Sequence, residues 1–264
     1  MRIAICGTAN IGKSTLIKDF VEYFKTYSAD TETYRKKITD ENLPHSKETN
    51  KDTQWKILNH MIDRLQSYTK DDNVIFDRCP LDNIVYSLWS LEKNSSDIDE
   101  DFISKCLPLV QQSMNHLDII FFLPMSKFNN VDIEDDGMRE TNLKYIKEID
   151  AFFKVIQRHY NENPQNNPFF PREDMPAMIE IFGSPEERLA MIKLYIDDEG
   201  DLIGGTEQDL ANILTQGAPG MGLDETRNAM ENLIEAQKEA DKTEKEVKVQ
   251  LKNIKEFLDQ GGKI

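Results

Sequence analysis

At 264 residues, 39% of them hydrophobic, the chain can bury a substantial core as one large domain or as a domain with an appendage. Its 48 Asp and Glu against 32 Lys and Arg leave a formal charge of −16, which repels phosphate backbones and anionic lipid and argues against nucleic-acid and membrane partners. Cys6, Cys79 and Cys106 are too dispersed for a metal cluster, no apolar run approaches the ~20 residues of a membrane span, and the chain opens on a strand, so a reducing cytoplasm is the expected compartment.

In chain order, the apolar run Arg2 to Cys6 predicts a buried strand, and Thr15 onward predicts a helix with Leu16, Ile17, Phe20, Val21 and Phe24 on one face. Between them, Gly7-Thr8-Ala9-Asn10-Ile11-Gly12-Lys13-Ser14 is a complete G-x-x-x-x-G-K-S phosphate loop, placed where a strand hands over to a helix. Its four fixed positions arise by accident in roughly one chain of this length in a hundred. Gly7 and Gly12 permit dihedrals closed to other residues, so successive N–H groups can line a concavity at a helix N-terminus. Residues Gly7 to Thr15 are therefore the expected cradle for ATP, with Lys13 on the β- and γ-phosphates and the Ser14 hydroxyl on Mg²⁺.

The polar stretch Tyr27 to Asn50 accommodates one short strand near Thr33 to Lys36. Asp52 is the expected N-cap of a helix carrying Trp55, Leu58, Met61, Ile62 and Leu65. Asn73 to Asp77 is a strand ending in an acid, and Pro80 suits the first turn of a helix bearing Ile84, Val85, Leu88 and Trp89. A helix from Glu100 to Met114 precedes Leu117 to Leu123, whose unbroken apolar character fits burial on both faces. An acidic loop, Val131 to Glu140, leads to a long helix with Leu143, Ile146, Ile149, Phe153, Ile156 and Tyr160 on its buried side. The last strand is Ala177 to Phe182, and Pro185 opens another helix.

Alternating strands and helices predict an α/β three-layer sandwich with a mostly parallel sheet over 1–198, then an acidic glycine-containing linker at 199–222 and a charged helical tail at 223–264. The tail's thin stripe of Val247, Leu251, Ile254, Phe257 and Leu258 is compatible with docking, with pairing to a second copy or partner, or with a frayed helix.

A phosphate loop does not separate hydrolase, switch and kinase. Asp77, at the C-terminal end of its strand, falls on the ligand-binding edge of an open α/β sheet, where it can hold Mg²⁺ or accept a proton. Arg78 can clamp an acceptor phosphate or position a hydroxyl. Arg139 can close over the nucleotide and supply charge to the migrating phosphoryl group. Arg35, in a basic cluster with Tyr34, Lys36 and Lys37, joins His45, Gln54, Arg78 and Asp82 as the acceptor-side set.

These residues together resemble the thymidylate kinase-like and nucleoside kinase branch of the P-loop kinases, over roughly Met1 to Asp198. The features that carry the likeness are the loop, Asp77-Arg78, the strand Asp118 to Leu123, an arginine before a long helix, and Ile179-Glu-Ile-Phe-Gly-Ser-Pro-Glu-Glu-Arg188. Asp136-Gly-Met-Arg139 is similar to the lid of ribosylnicotinamide kinase-type domains, and chains of this layout are met in large tailed bacteriophages. The resemblance implies transfer of phosphate from ATP-Mg to a nucleoside or nucleoside monophosphate, with catalytic Lys13, Asp77, Arg78 and Arg139 and with Gly183 to Arg188 flanking the adenine. A kinase for a modified DNA base or a nicotinamide nucleoside, and a P-loop ATPase acting as an assembly module through its tail, stand as alternatives.

Overall fold

The computed structural model describes residues 1–31, 38–44, 48–125, 141–170, 173–203, 216–218, 221–246 and 252–262. Five strands, β1 (Arg2–Cys6), β2 (Ser28–Asp30), β3 (Val74–Asp77), β4 (Ile119–Phe122) and β5 (Ala177–Glu180), form one sheet in the order β2-β3-β1-β4-β5. Every pairing is parallel, so each connection crosses a face of the sheet and helices cover both sides. This is the α/β architecture of the P-loop NTPases.

The strands sort their side chains by alternation. Ala4, Cys6, Phe76, Ile120 and Phe122 face one core, while Ile3, Ile5, Ile75, Ile119 and Phe121 face the other. Against the second face lie α1 (Lys13–Tyr23), through Leu16, Ile17 and Phe20, and α6 (Pro185–Ile192), through Met191 and Ile192. The first face is covered by α2 (Lys51–Gln66), α3 (Pro80–Lys93), α4 (Glu100–Ser113) and α5 (Leu143–Glu162), which contribute among others Leu58, Ile84, Ile103 and Phe153. At the N-terminal edge, buried Arg2 pairs with Asp118 at 3.1 Å and ties β1 to the start of β4.

Several expectations shift. Asn50, whose side chain accepts from the Thr53 amide at 2.9 Å, caps α2, and Asp52 lies in the first turn. Capping depends on which residue holds extended dihedrals, as Asn50 does at φ −137 and ψ 175. Leu143 is 52% exposed because it opens α5 before the buried stripe begins. The edge strand pairs through Ser28, Ala29 and Asp30, whose backbone rather than any apolar pattern engages β3. The strand expected at Thr33 to Lys36 and the acidic loop Val131 to Glu140 lie outside the described residues.

Two tail helices are described, α7 (Leu223–Glu246) and α8 (Lys252–Asp259). Ile254, Phe257 and Leu258 of α8 join the first core, with the Phe257 ring 6.1 Å from Phe169. Full burial of such side chains stabilises by about 1.5–3 kcal/mol each, which favours docking over fraying. Helix α7 lies against α6: Ala229, with Ala218 and Met221, packs on Ala190 and Leu194, and Asn232 donates to Glu187 at 3.2 Å. Val247 and Leu251 lie outside the described residues, and among those described no helix is long and apolar enough to cross a membrane.

Candidate active site

The phosphate loop spans the end of β1 and the start of α1. Gly7 (φ +133), Asn10 (φ +58) and Gly12 (φ +81) take left-handed conformations. Gly7 has no room for a side chain, since a Cβ there would lie 2.6 Å from the Leu123 carbonyl oxygen. Gly12 is the N-cap of α1, and neither a side-chain cap nor an acidic residue occupies that first turn. The amides at the helix start therefore keep their positive potential for an anion.

Lys13 is buried and donates from Nζ to the carbonyls of Gly7, at 3.0 Å, and of Thr8. The Thr8 hydroxyl is buried with no hydrogen-bond partner among the described residues. The parallel register sets Ile5 opposite Asp77, so the end of β3 arrives beside the root of the loop. There the Ser14 hydroxyl donates to Asp77 Oδ2 at 3.1 Å, while Oδ1 is buried and has no hydrogen-bond partner among the described residues. A hydroxyl and an orphaned carboxylate oxygen side by side suit a hard divalent cation that takes its other ligands from phosphate and water. Among the described residues no group of three or more His, Cys, Asp or Glu side chains could hold a metal ion.

Arg78, the residue expected to clamp or position the acceptor, packs against the root of the loop. It adopts φ +71, its amide donates to the Ile5 carbonyl at 3.0 Å, and its side chain turns back toward the loop. Nη1 meets Asp82 Oδ1 at 2.9 Å and the Gly7 carbonyl at 3.3 Å, with the guanidinium 5.5 Å from the centre of the Tyr86 ring. Asp82 is 1% exposed and also accepts from the amides of Cys79, at 3.1 Å, and Gly7, at 3.4 Å. Burial pushes its carboxyl upward, opposed by the charges of Arg78 and Lys13. The two residues thus come together with each other and with the loop, as a buried brace beneath the phosphate cradle. Gln54 also turns inward, donating to Thr49 at 2.8 Å and accepting from Asn83 at 2.6 Å, which fastens α2 to α3. Arg35, His45 and Arg139 lie outside the described residues.

Arg64 escaped sequence reasoning, and Arg188 was expected only as the end of the segment flanking the adenine. Arg64 on α2 pairs with Asp30 at 3.0 Å and reaches the Asp77 carbonyl at 3.5 Å, fixing the sheet edge behind Asp77. Arg188 on α6 donates from Nη1 to the Ile11 carbonyl at 2.8 Å, across 177 residues of sequence. Only the order of β1, β4 and β5 could have signalled that approach.

Comparison with curated proteins gives no match. Among solved structures, NadR protein in complex with NR is similar over 67% of this chain and 45% of its own, at 16% identity and a TM-score of 0.47. Deoxyadenosine kinase from M. mycoides with products dcmp and dcdp is similar over 66% of this chain and 91% of its own, at 20% identity and a TM-score of 0.45. The chain thus spans less than half of the length of the NadR protein. The family model described as AAA domain matches residues 2–166, more than half of the sequence, and the chain belongs to that AAA domain family.

Proposed function

We propose that this chain is a phosphotransferase that moves the γ-phosphoryl group of ATP to a hydroxyl of a small, uncharged nucleoside-type acceptor. The observation that carries the reading is the Ser14–Asp77 pair, held at 3.1 Å beside Lys13 on the C-terminal edge of a parallel sheet. The main-chain amides of the loop and Lys13 would grip the β- and γ-phosphates, and Ser14 and Asp77 would hold Mg²⁺. When bound, that ion supplies neutralisation of phosphate charge. Asp77 would orient the attacking hydroxyl or take its proton, and the loop would stabilise the charge on the departing diphosphate.

Arg78 supports an uncharged acceptor over a monophosphate. Its charge is already matched by Asp82 at 2.9 Å inside the protein, so it presents little unneutralised charge to an acceptor phosphate.

The test is transfer of labelled γ-phosphate from ATP to a panel of nucleosides, nucleoside monophosphates, nicotinamide riboside and a single-stranded oligonucleotide. Transfer to a neutral nucleoside is expected, with Asp77→Asn still binding ATP but turning over at least about a hundredfold more slowly. Hydrolysis of ATP with no acceptor labelled would replace the kinase reading by an ATPase, and preferred labelling of monophosphates would overturn the assignment of the acceptor.

A further inference from the structure

Arg188 is 2% exposed and carries a guanidinium into the protein without a matching acid among the described residues. Nη1 donates to the Ile11 carbonyl at 2.8 Å, while Nε is buried with no hydrogen-bond partner among the described residues. Burial draws the group down to about 10 from its ordinary 12.5, the mark of a cation poorly compensated by its surroundings. An interior cation facing, among the described residues, only a carbonyl dipole is costly, and a nearby anion would lower that cost.

The side chain is held there from several directions. Pro185 and the reciprocal Ser184–Glu187 capping box fix the start of α6, and Met191 and Ile192 anchor it in the core. On its outer side, Ala190 and Leu194 pack with Ala218, Met221 and Ala229. Arg188 is thus carried on a helix fixed at its start and packed on both sides.

Its target is the peptide that opens the phosphate cradle. In a trans peptide the carbonyl of one residue and the N–H of the next point in opposite directions. Holding the Ile11 carbonyl toward α6 consequently turns the Gly12 N–H away from α6, at the left-handed turn (φ +81) where α1 begins.

We propose that Arg188 is a positioning residue for the donor polyphosphate. It pins the Ile11–Gly12 peptide so that the Gly12 N–H faces the phosphates, and the bound anion supplies the negative charge that Arg188 lacks within the protein. This inference rests on the phosphate-donor reading of the loop. It adds a cation from the far end of the domain to a site otherwise built from β1, α1 and β3.

The full chain and its Arg188→Gln and Arg188→Lys variants are titrated calorimetrically with MgATP and with inorganic tripolyphosphate at several KCl concentrations. Gln is expected to weaken both ligands roughly tenfold or more and to flatten the salt dependence, and Lys to restore most of the affinity and the slope. A merely structural residue would leave the salt slope unchanged. Wild-type protein that binds neither ligand overturns the function proposed above. Wild-type protein that binds them, with Gln indistinguishable in affinity and slope, overturns only the role of Arg188. Should Gln fail to fold, the wild type decides by ¹⁵N NMR: saturating tripolyphosphate must shift both the Gly12 amide and the Arg188 Nε–H resonances, and constancy of either refutes the proposal.

Discussion

Replacing Gly7 with alanine places a methyl group where the chain has no space. The new Cβ would lie 2.6 Å from the Leu123 carbonyl oxygen and 2.8 Å from Ile11 Cδ1, at a φ of +133 that L-residues rarely adopt. The Ile11 methyl can rotate aside. The Leu123 carbonyl is backbone and has less freedom, following directly on an amide bonded to the Cys6 carbonyl at 3.1 Å at the end of the β1–β4 ladder. The strain therefore falls mainly on the Gly7 peptide, whose carbonyl accepts from Lys13 at 3.0 Å and from Arg78 at 3.3 Å, and whose amide faces Asp82 at 3.4 Å. An unfavourable backbone conformation costs about 1–3 kcal/mol and an overpacked contact about 1–3 kcal/mol. One distortion relieves part of both, so about 3 kcal/mol is expected. For a chain of this size that corresponds to a fall in melting temperature of about 6–12 °C. Differential scanning fluorimetry with and without MgATP reads it directly, and the nucleotide-induced rise should shrink as well, since Lys13 and the cradle amides are displaced. Gly222→Ala is the control: a Cβ there meets nothing within 4 Å, and a change of no more than about 0.5 kcal/mol is expected. A Gly7→Ala protein that melts and responds to MgATP like the wild type would refute this account of the loop.

Asp82→Ala should destabilise by about 3–5 kcal/mol by leaving Arg78 buried without its acid, and adding Arg78→Met should recover most of the loss in urea denaturation. Leu258→Ala, at a fully buried position of α8, should cost about 2–5 kcal/mol in the same assay, whereas a frayed tail would leave the midpoint unmoved. Asp99 is held below its ordinary 3.8 by hydrogen bonds from Lys51 first and then the Phe102 amide. A depressed carboxylate stabilises the fold above its unfolded pKa, and that contribution is lost as the pH falls through the lower folded value. Asp99→Asn, which keeps an N-capping oxygen, should therefore be less stable than the wild type at about pH 6 and converge with it by about pH 2.

Most of the sheet could be read from local pattern, because strands buried on both faces leave uninterrupted apolar runs such as Ile119 to Phe122. The loop was equally legible, its chemistry being written in eight consecutive residues, and the end of β3 placed Asp77 beside it by topology alone. Edge strand β2 was not, since Ser28–Asp30 is recruited by the backbone of β3 and shows no apolar signature. The destination of Arg78 was half visible. Arg78 and Asp82 stand four apart, a spacing that allows pairing along a helix, but the left-handed φ of +71 that folds the arginine back over the first turn of α3 has no local signal in a non-glycine residue. Arg188 was placed only at the end of the segment flanking the adenine, and its contact with Ile11 was not legible, because it joins segments that only the assembled sheet makes neighbours.

The electrostatics of the site follow from those two arginines. The chain carries −16 formally, so a free polyphosphate approaching from solvent meets net repulsion. Three buried cations nevertheless converge on the main chain of one short loop: Lys13 on the carbonyls of Gly7 and Thr8, Arg78 on that of Gly7, and Arg188 on that of Ile11. Arg78 brings its own counter-charge in Asp82 and contributes little net field. Lys13, whose charge also acts on Asp82, and Arg188 donate to loop carbonyls, and with the uncapped start of α1 they contribute positive potential to the loop. Because they are buried, salt screens their attraction less than it screens the repulsion from the distant surface carboxylates. Added salt should therefore remove the long-range barrier sooner than it removes the short-range grip, and association with ATP should quicken as salt rises through about 0.1 M before affinity falls. An association rate that only declines with salt, measured by stopped-flow, would mean that the site's own field outweighs the acidic surface even at a distance.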